Sequence, residues 1–458
     1  MKDRLKSLVT GKPADYVEIR IEESHVTRIV FRGKDLETLG QSINYGGNVR
    51  ALVNGGWGFV SFNSLDDLEA KVDLAIRQAA LIGAARREKI ALAPVPVVED
   101  VVKVQFVRDP RTVSLEEKTN LFKSYNDIIL SWGGKVRSSS VSYSDKYTKL
   151  YFANSEGTYI EQEKLDLSGS IGAIASEAGN TQIGRVSFGS STDFGVAVGH
   201  EEAVREACRK AEALLAAPVI AGGEYTVICD PHLAGIFAHE AFGHLSEADG
   251  LAENKALQET MKLGRKFGRE FLTIYDTGRD VGARGYLKYD DEGVATRRTD
   301  LIREGILVGR LHSRETAAKL GEQPTGNARA IDYRFPPIVR MRNTCIAPGD
   351  ASFEDMIKDV KLGVYCINSY GGETNGEMFT FSAGEAYMIR DGKIAELVRD
   401  VNLTGNVFRT LENIDMVGKD FCPHESAGGC GKNGQAPLPT SEWAPHIRIQ
   451  KVIVGGKK

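Results

Sequence analysis

The sequence predicts an α+β protein, in which an N-terminal α/β part with a mixed or antiparallel sheet and helices precedes a β-rich C-terminal part. In the first half, alternating polar and apolar runs are separated by helical patterns. After residue 223, short apolar stretches alternate with turns rich in glycine, asparagine and proline. The change between these two residue patterns falls at Ala221-Gly222-Gly223. We therefore expect two domains, residues 1–220 and 221–458.

The elements of the first half follow from periodicity and from start and stop signals. Residues 16–22 alternate polar and apolar side chains as a half-buried strand does, and residues 49–62 have the pattern of a hairpin that turns at Asn54-Gly55. Helical spacing predicts helices over about 64–87, 114–133 and 201–216. Strand-like alternation covers 138–190. These patterns together predict a sheet covered by helices.

Composition excludes several classes of function. The 58 Lys and Arg residues nearly balance 62 Asp and Glu, so a nucleic-acid-binding surface is not expected. No apolar run is long enough to span a bilayer or to act as a secretory signal, so we expect no membrane segment. Six cysteines are too sparse for a disulfide framework, which favours a reducing cytoplasm.

The segment with the clearest chemistry is His239-Glu-Ala-Phe-Gly-His244. Two neutral imidazoles can bind Zn²⁺, and Glu240 beside them can take a proton from water. In a straight α-helix, however, residues five apart point about 140° away from each other. We therefore predict an irregular helix with a π-type bulge, with Gly243 as the position where it could kink. The alternative is two unrelated histidines on a buried helix.

A catalytic zinc site needs a third protein ligand and one open position. Glu247 and Asp249 follow the motif closely, whereas Cys430 lies in a distant glycine-rich loop and Cys422 and His424 lie just before that loop. Spacing alone does not choose among these five residues.

The two segments His239–Asp249 and Gly429–Gln435 make the chain resemble the TldD/PmbA family of metallopeptidases, in its catalytic TldD branch. The resemblance covers nearly all of residues 223–435 and includes Asp290-Asp-Glu-Gly293, Pro324-Thr-Gly-Asn-Ala-Arg329 and Arg340-Met-Arg-Asn-Thr344. The first third matches more loosely.

This resemblance implies a zinc-dependent peptidase acting on short or unfolded peptides. The implied zinc ligands are His239, His244 and Cys430, and the implied general base is Glu240. It also implies a homodimer, or a heterodimer with a noncatalytic paralogue.

Two further groups of residues are candidates for supporting roles. Glu247 and Asp249 could orient a zinc-bound imidazole or could be solvated carboxylates. The segment Met378-Phe379-Thr380 has the pattern of a strand, and the resemblance suggests that it lies near the catalytic cleft. A peptide could pair with its edge, although an ordinary core strand explains the same pattern.

Two other classes of function remain open. In the first, the chain is a noncatalytic peptide-binding or maturation subunit whose zinc is structural and has a fourth protein ligand. In the second, it is a metal-free regulatory scaffold.

Overall fold

The computed structural model describes residues 1–455 as an α+β fold, which confirms the predicted class. In the N-terminal half the helices are α1 (Lys2–Val9), α2 (Leu68–Ala85), α3 (Leu115–Ser131) and α4 (Glu201–Ala216). The strands are β1 (Tyr16–Arg32), β2 (Asp35–Val53), β3 (Gly56–Phe62), β4 (Glu99–Val102), β5 (Val136–Asn154), β6 (Tyr159–Glu177) and β7 (Asn180–Ser190).

These strands form one sheet in the order β3-β2-β1-β5-β6, and both β4 and β7 pair with the outer edge of β6. All pairs are antiparallel except β4 with β6. The hairpin predicted at Asn54-Gly55 is confirmed, because β2 and β3 meet there and both residues have positive φ. The helix predicted from Ser114 is also confirmed, with Ser114 and Glu117 forming a capping box.

The two faces of β1 are buried in different ways. The apolar side chains of Val17, Ile19 and Ile21 form a core with α1 and α2. The opposite face is polar but equally buried, since Glu18 and Arg20 are each 1% exposed. The prediction of a half-buried strand is therefore wrong here, because this polar face packs against the C-terminal half of the chain.

Ion pairs connect the two halves across that polar face. Arg20 lies 3.3 Å from Asp291, and Arg50 donates to Glu292 at 2.9 Å. Both acceptors belong to the segment Asp290–Gly293. A buried charge requires a partner of opposite sign, so these pairs fix how the sheet sits on the C-terminal half.

The C-terminal half is richer in strands than in helices, as predicted. Its helices are α5 (Pro231–Ala238), α6 (Ala248–Ala252), α7 (Lys255–Thr260), α8 (Arg314–Leu320), α9 (Phe353–Ile357) and α10 (Val407–Glu412). Its strands are β8 (Gly223–Cys229), β9 (Ile274–Thr277), β10 (Thr299–Arg303), β11 (Ile306–Leu307), β12 (Ala328–Arg329), β13 (Ile338–Val339), β14 (Asn343–Ile346), β15 (Leu362–Asn375), β16 (Met378–Arg390), β17 (Lys393–Val398), β18 (Asn402–Asn406), β19 (Ile414–Val417), β20 (Cys430–Lys432), β21 (Gln435–Leu438), β22 (Ser441–Trp443) and β23 (Ile447–Gly455).

The largest sheet of this half closes on itself. Its strands follow the order β15-β8-β23-β18-β16, and β16 pairs back onto β15. Helix α5 packs against β15 and β22, and this packing brings the segment that follows α5 next to the closed sheet. The boundary expected near residue 220 falls between α4 and β8, and the division into two domains stays a prediction. Within residues 1–455, no helix combines the length and apolar character needed to cross a membrane.

The contact between the halves leads to a stability prediction. Replacing Arg20 with Met removes the cation beside Asp291 and Glu22, which are 5% and 2% exposed, and leaves two buried carboxylates without it. We expect the free energy of unfolding to fall by about 3–5 kcal/mol, measured by urea denaturation. Arg28→Met, on the exposed part of the same strand, should cost less than about 1 kcal/mol. Equal effects of the two substitutions would contradict the role of this ion pair.

Candidate metal centre

The segment His239–Ser246 continues α5 as an irregular helix. Asp230 caps the start of α5 by accepting the N–H of Leu233 at 2.9 Å. After Ala238 the chain makes a π turn over His239–Gly243, in which the N–H of His244 donates to the carbonyl of His239, five residues back. The predicted irregularity is therefore confirmed. The extra residue in the turn brings two histidines five apart toward the same side.

Gly243 serves close packing rather than a kink. Its backbone is helical, with φ −58°. A Cβ at this position would lie 2.0 Å from the Sδ atom of Met341. A side chain larger than hydrogen would therefore displace either Met341 or the π turn.

His239, His244 and Cys430 form one cluster, and their donor atoms all lie within 4.8 Å of one another. The Sγ of Cys430 is 3.4 Å from the Nε2 of His244. A tetrahedral Zn²⁺ with bonds of about 2.0–2.3 Å holds its ligand atoms roughly 3.3–3.8 Å apart. Two imidazoles and a thiolate are also donors that zinc accepts. The residues therefore fit this metal.

The three groups of the cluster shift one another's ionisation. Burial opposes charge on the Cys430 thiol, yet the two neighbouring imidazoles lower its pKa to about 5. Burial likewise opposes charge on His239 and His244, but the thiolate and nearby carboxylates raise their pKa values to about 9 and about 11. The thiol is thus ionised and the imidazoles hold protons, which a bound metal cation would replace.

Each histidine has a carboxylate behind it. The Nδ1 of His244 lies 2.9 Å from Glu247. Burial alone would raise the pKa of Glu247, but its contacts with Lys432 and His244 lower it. The Nδ1 of His239 lies 3.3 Å from Glu442 and has no aligned hydrogen bond. In both rings Nε2 is left for the cluster, the arrangement by which carboxylates orient metal-binding imidazoles. The sequence analysis missed Glu442, because no local pattern relates β22 to a helix some 200 residues earlier.

The hairpin of β20 and β21 carries Cys430 and is held at two points. Arg340, fully buried, donates to the carbonyls of Cys430 and Gln435 at 2.7 and 3.0 Å. Lys432 lies 3.0 Å from Glu247 and 2.6 Å from Asp249. Asp249 therefore contacts Lys432 rather than an imidazole, and any effect it has on the cluster passes through that lysine.

Glu240 stands at the open side of the cluster. Its carboxylate lies 3.8 Å from the Nε2 of His244, and 21% of its side chain is exposed. Burial raises its pKa. Thr374 of β15 donates to the carbonyl of Glu240 at 2.8 Å, so the π turn and β15 are in direct contact.

The rival ligands Cys422 and His424 lie outside the cluster. Cys422 is exposed, and its thiol donates to the carbonyl of Pro423. His424 packs against His232, with ring centroids 4.0 Å apart. Within residues 1–455, the cluster of possible metal ligands therefore consists of three protein donors, His239, His244 and Cys430.

The strand containing Met378, Phe379 and Thr380 has no free edge. Each of these residues is paired with β15 on one side and with β18 on the other. The prediction that a peptide could pair with the backbone of these three residues is therefore wrong. The free edge belongs to β15, which pairs with β8 only over residues 363–366, so residues 369–375 are paired on one side by β16 alone within the described chain.

A His-His-Cys cluster beside a half-buried carboxylate, on an α+β scaffold, defines the class of protein as one with a candidate hydrolytic metal site. Sequence profiles of three domains match in order: PmbA/TldA metallopeptidase domain 1 over residues 17–82, the central domain over 108–215, and the C-terminal domain over 222–456. The chain belongs to the PmbA/TldD metallopeptidase family.

Relatives and solved structures agree with this assignment. A metalloprotease of Synechocystis is 46% identical over 97% of this chain and 95% of its own length. A protein of Saccharolobus solfataricus named zinc metalloprotease TldD homolog is 32% identical over 97% of both chains. The same fold occurs in a Thermotoga maritima protein described as a putative modulator of DNA gyrase (TM-score 0.79, 23% identity, 99% of both chains) and in TldE from Thermococcus kodakarensis (0.75, 19%, 100% of both).

The contact between Glu442 and His239 leads to a prediction about metal affinity. Glu442→Gln removes the charge that orients His239, and we expect zinc affinity to fall about 10- to 100-fold in chelator competition. Glu412→Gln, an exposed carboxylate on α10, should leave the affinity unchanged. Wild-type affinity in Glu442→Gln would show that His239 is positioned without this carboxylate.

Proposed function

We propose that the chain is a zinc-dependent peptidase that hydrolyses short or unfolded peptides. His239, His244 and Cys430 would hold the zinc ion, and Glu240 would act as general base. The observation that carries this proposal is a three-donor cluster with a carboxylate at its open side, next to an unpaired strand edge.

The chemistry follows from the positions of these side chains. A zinc ion held by His239, His244 and Cys430 would supply Lewis acidity for the scissile carbonyl and for the attacking water. Glu240 accepts the proton of the attacking water on its carboxylate and passes it to the nitrogen of the leaving amine. The raised pKa of Glu240 suits a group that must both accept and donate a proton.

The free edge of β15 provides a place for an extended peptide. Residues 369–375 offer backbone N–H and C=O groups, and Thr374 on this stretch contacts the backbone of Glu240. A peptide added as a further strand would be held by its backbone, which makes binding tolerant of sequence. A cavity of about 230 Å³, lined in part by Asn368–Gly371, adjoins this edge and leaves space beside it.

The alternative is a noncatalytic peptide-binding or maturation subunit with structural zinc. A structural site normally has four protein ligands, and Cys422 and His424 do not join the three-donor cluster. The same donor set weighs against a metal-free scaffold.

Assembly and location belong to the same proposal. The chain would pair with a second copy or with a noncatalytic paralogue, and the fold shared with TldE is the support for this pairing. A cytoplasmic setting suits the cluster because Cys430 must stay reduced to bind metal, and all six cysteines are unpaired.

The first test replaces Glu240 with Gln, which keeps the shape of the side chain but removes the base. We expect kcat on an unstructured peptide to fall about 10²- to 10⁴-fold. Zinc content should stay near one per chain, because the proposed ligands are unchanged. Glu259→Gln, an exposed carboxylate on α7, should behave as wild type. Zinc-loaded wild type that cleaves no peptide, alone or with a paralogue, would favour the structural-zinc alternative.

A second test concerns how the peptide is held. Successive N–H groups of a strand point to opposite sides, so only every second N–H of a bound peptide can donate to β15. We expect N-methylation, moved along the peptide one residue at a time, to reduce kcat/KM at alternate positions. Side-chain exchanges at the same positions should have smaller effects. A loss without alternation would argue against strand addition.

A further inference from the structure

A second cavity, of about 120 Å³, lies between the central sheet and the C-terminal half, and none of the three cluster ligands lines it. This space is several times the roughly 30 Å³ that one water occupies in the liquid, so it can hold a molecule of several heavy atoms. Pro437, Leu438 and Pro439 form one wall, and Leu438 pairs with Cys430 across the hairpin. The charged side chains that line the cavity are Lys146, Lys164, Asp166, Arg284, Asp291 and Arg329.

Both carboxylates of the cavity already have cationic partners. Asp166 accepts from the Nε and Nη2 of Arg284 at 2.7 and 3.1 Å. Asp291 lies 3.3 Å from Arg20, which is outside the lining. Each carboxylate of the wall therefore has an arginine beside it, although Arg20 also pairs with Glu22 at 3.1 Å.

Three cations of the lining, in contrast, form no direct ion pair. Within residues 1–455, no carboxylate oxygen lies within 4.0 Å of the charged nitrogens of Lys146, Lys164 or Arg329. Arg329 is 8% exposed, and its guanidinium is fixed by bonds to the carbonyls of Met341 and Pro439 at 2.5 and 2.7 Å. A buried guanidinium without a carboxylate beside it is costly for a protein to keep, whereas the two lysines are half-buried.

The two lysines are diagonal neighbours on one face of the sheet. Lys146 of β5 is opposite Asp166, and Lys164 of β6 is opposite Thr148, so both side chains project toward the same space. Burial, together with the like charge of Lys164, lowers the pKa of Lys146. An anion between them would relieve both effects.

We propose that this cavity is a binding site for a small oxyanion, a phosphate or a carboxylate. Lys146 and Lys164 contact it from the sheet, and the charge of Arg329 faces it from the C-terminal half. The bound anion joins the two halves of the chain directly behind the hairpin that carries Cys430. This site does not depend on peptidase activity.

The test uses the full-length protein without peptide. Inorganic phosphate, sulfate or sodium acetate is titrated at constant ionic strength against chloride, and binding is followed by Tm and by calorimetry. We expect a saturable rise in Tm that chloride does not produce. Lys146→Gln and Lys164→Gln should each raise the half-saturating concentration about tenfold or more, since each removes one charge-assisted contact. Saturation by phosphate and sulfate alone would assign a tetrahedral anion, and saturation by acetate a carboxylate.

Lys149→Gln is the matched control. Lys149 lies on the same strand as Lys146 but three residues away, on the opposite face of the sheet, and does not line the cavity. The proposal is overturned if no anion gives a saturable effect beyond that of chloride, or if Lys146→Gln and Lys149→Gln respond equally.

Discussion

The geometry of the candidate metal site depends on one extra residue in a helical turn. A regular α-helix would direct His239 and His244 about 140° apart, and no single metal could reach both. The π turn removes this conflict, and glycine at position 243 lets the turn pack closely against Met341. The thiolate of Cys430 can then meet both imidazoles from a distant part of the chain.

The third donor comes from a short hairpin, which would not hold a fixed position by itself. Besides the burial of Cys430 and Leu438, charged side chains set its position. Arg340 bonds its backbone, and Lys432 anchors it to Glu247, which also contacts His244. One carboxylate therefore couples the orientation of an imidazole to the position of the thiolate. A substitution of Lys432 or of Glu247 should therefore disturb two metal donors at once, His244 and Cys430.

Local patterns were sufficient for the parts of the fold that local chemistry determines. The capped helix at Ser114, the hairpin at Asn54-Gly55 and the irregular helix at His239 each follow from a few neighbouring residues. The sequence could not reveal Glu442, because its contact with His239 arises only when β22 packs beside α5. The free edge was assigned to the wrong strand for the same reason. Edge or interior position depends on which strands pair, and alternation of side chains is the same in both cases.

The thiolate ligand has a consequence for how this site would catalyse hydrolysis. Sulfur donates more electron density to a metal than a carboxylate does, so the bound ion would be a weaker Lewis acid. In the proposed reaction, more of the rate enhancement would then come from proton transfer by Glu240 and from placing the scissile bond beside it. The edge of β15, where Thr374 contacts the backbone of Glu240, would provide that placement through the peptide backbone. Binding through the peptide backbone would also make the proposed enzyme tolerant of side chains, which would suit short or unfolded peptides better than one folded substrate.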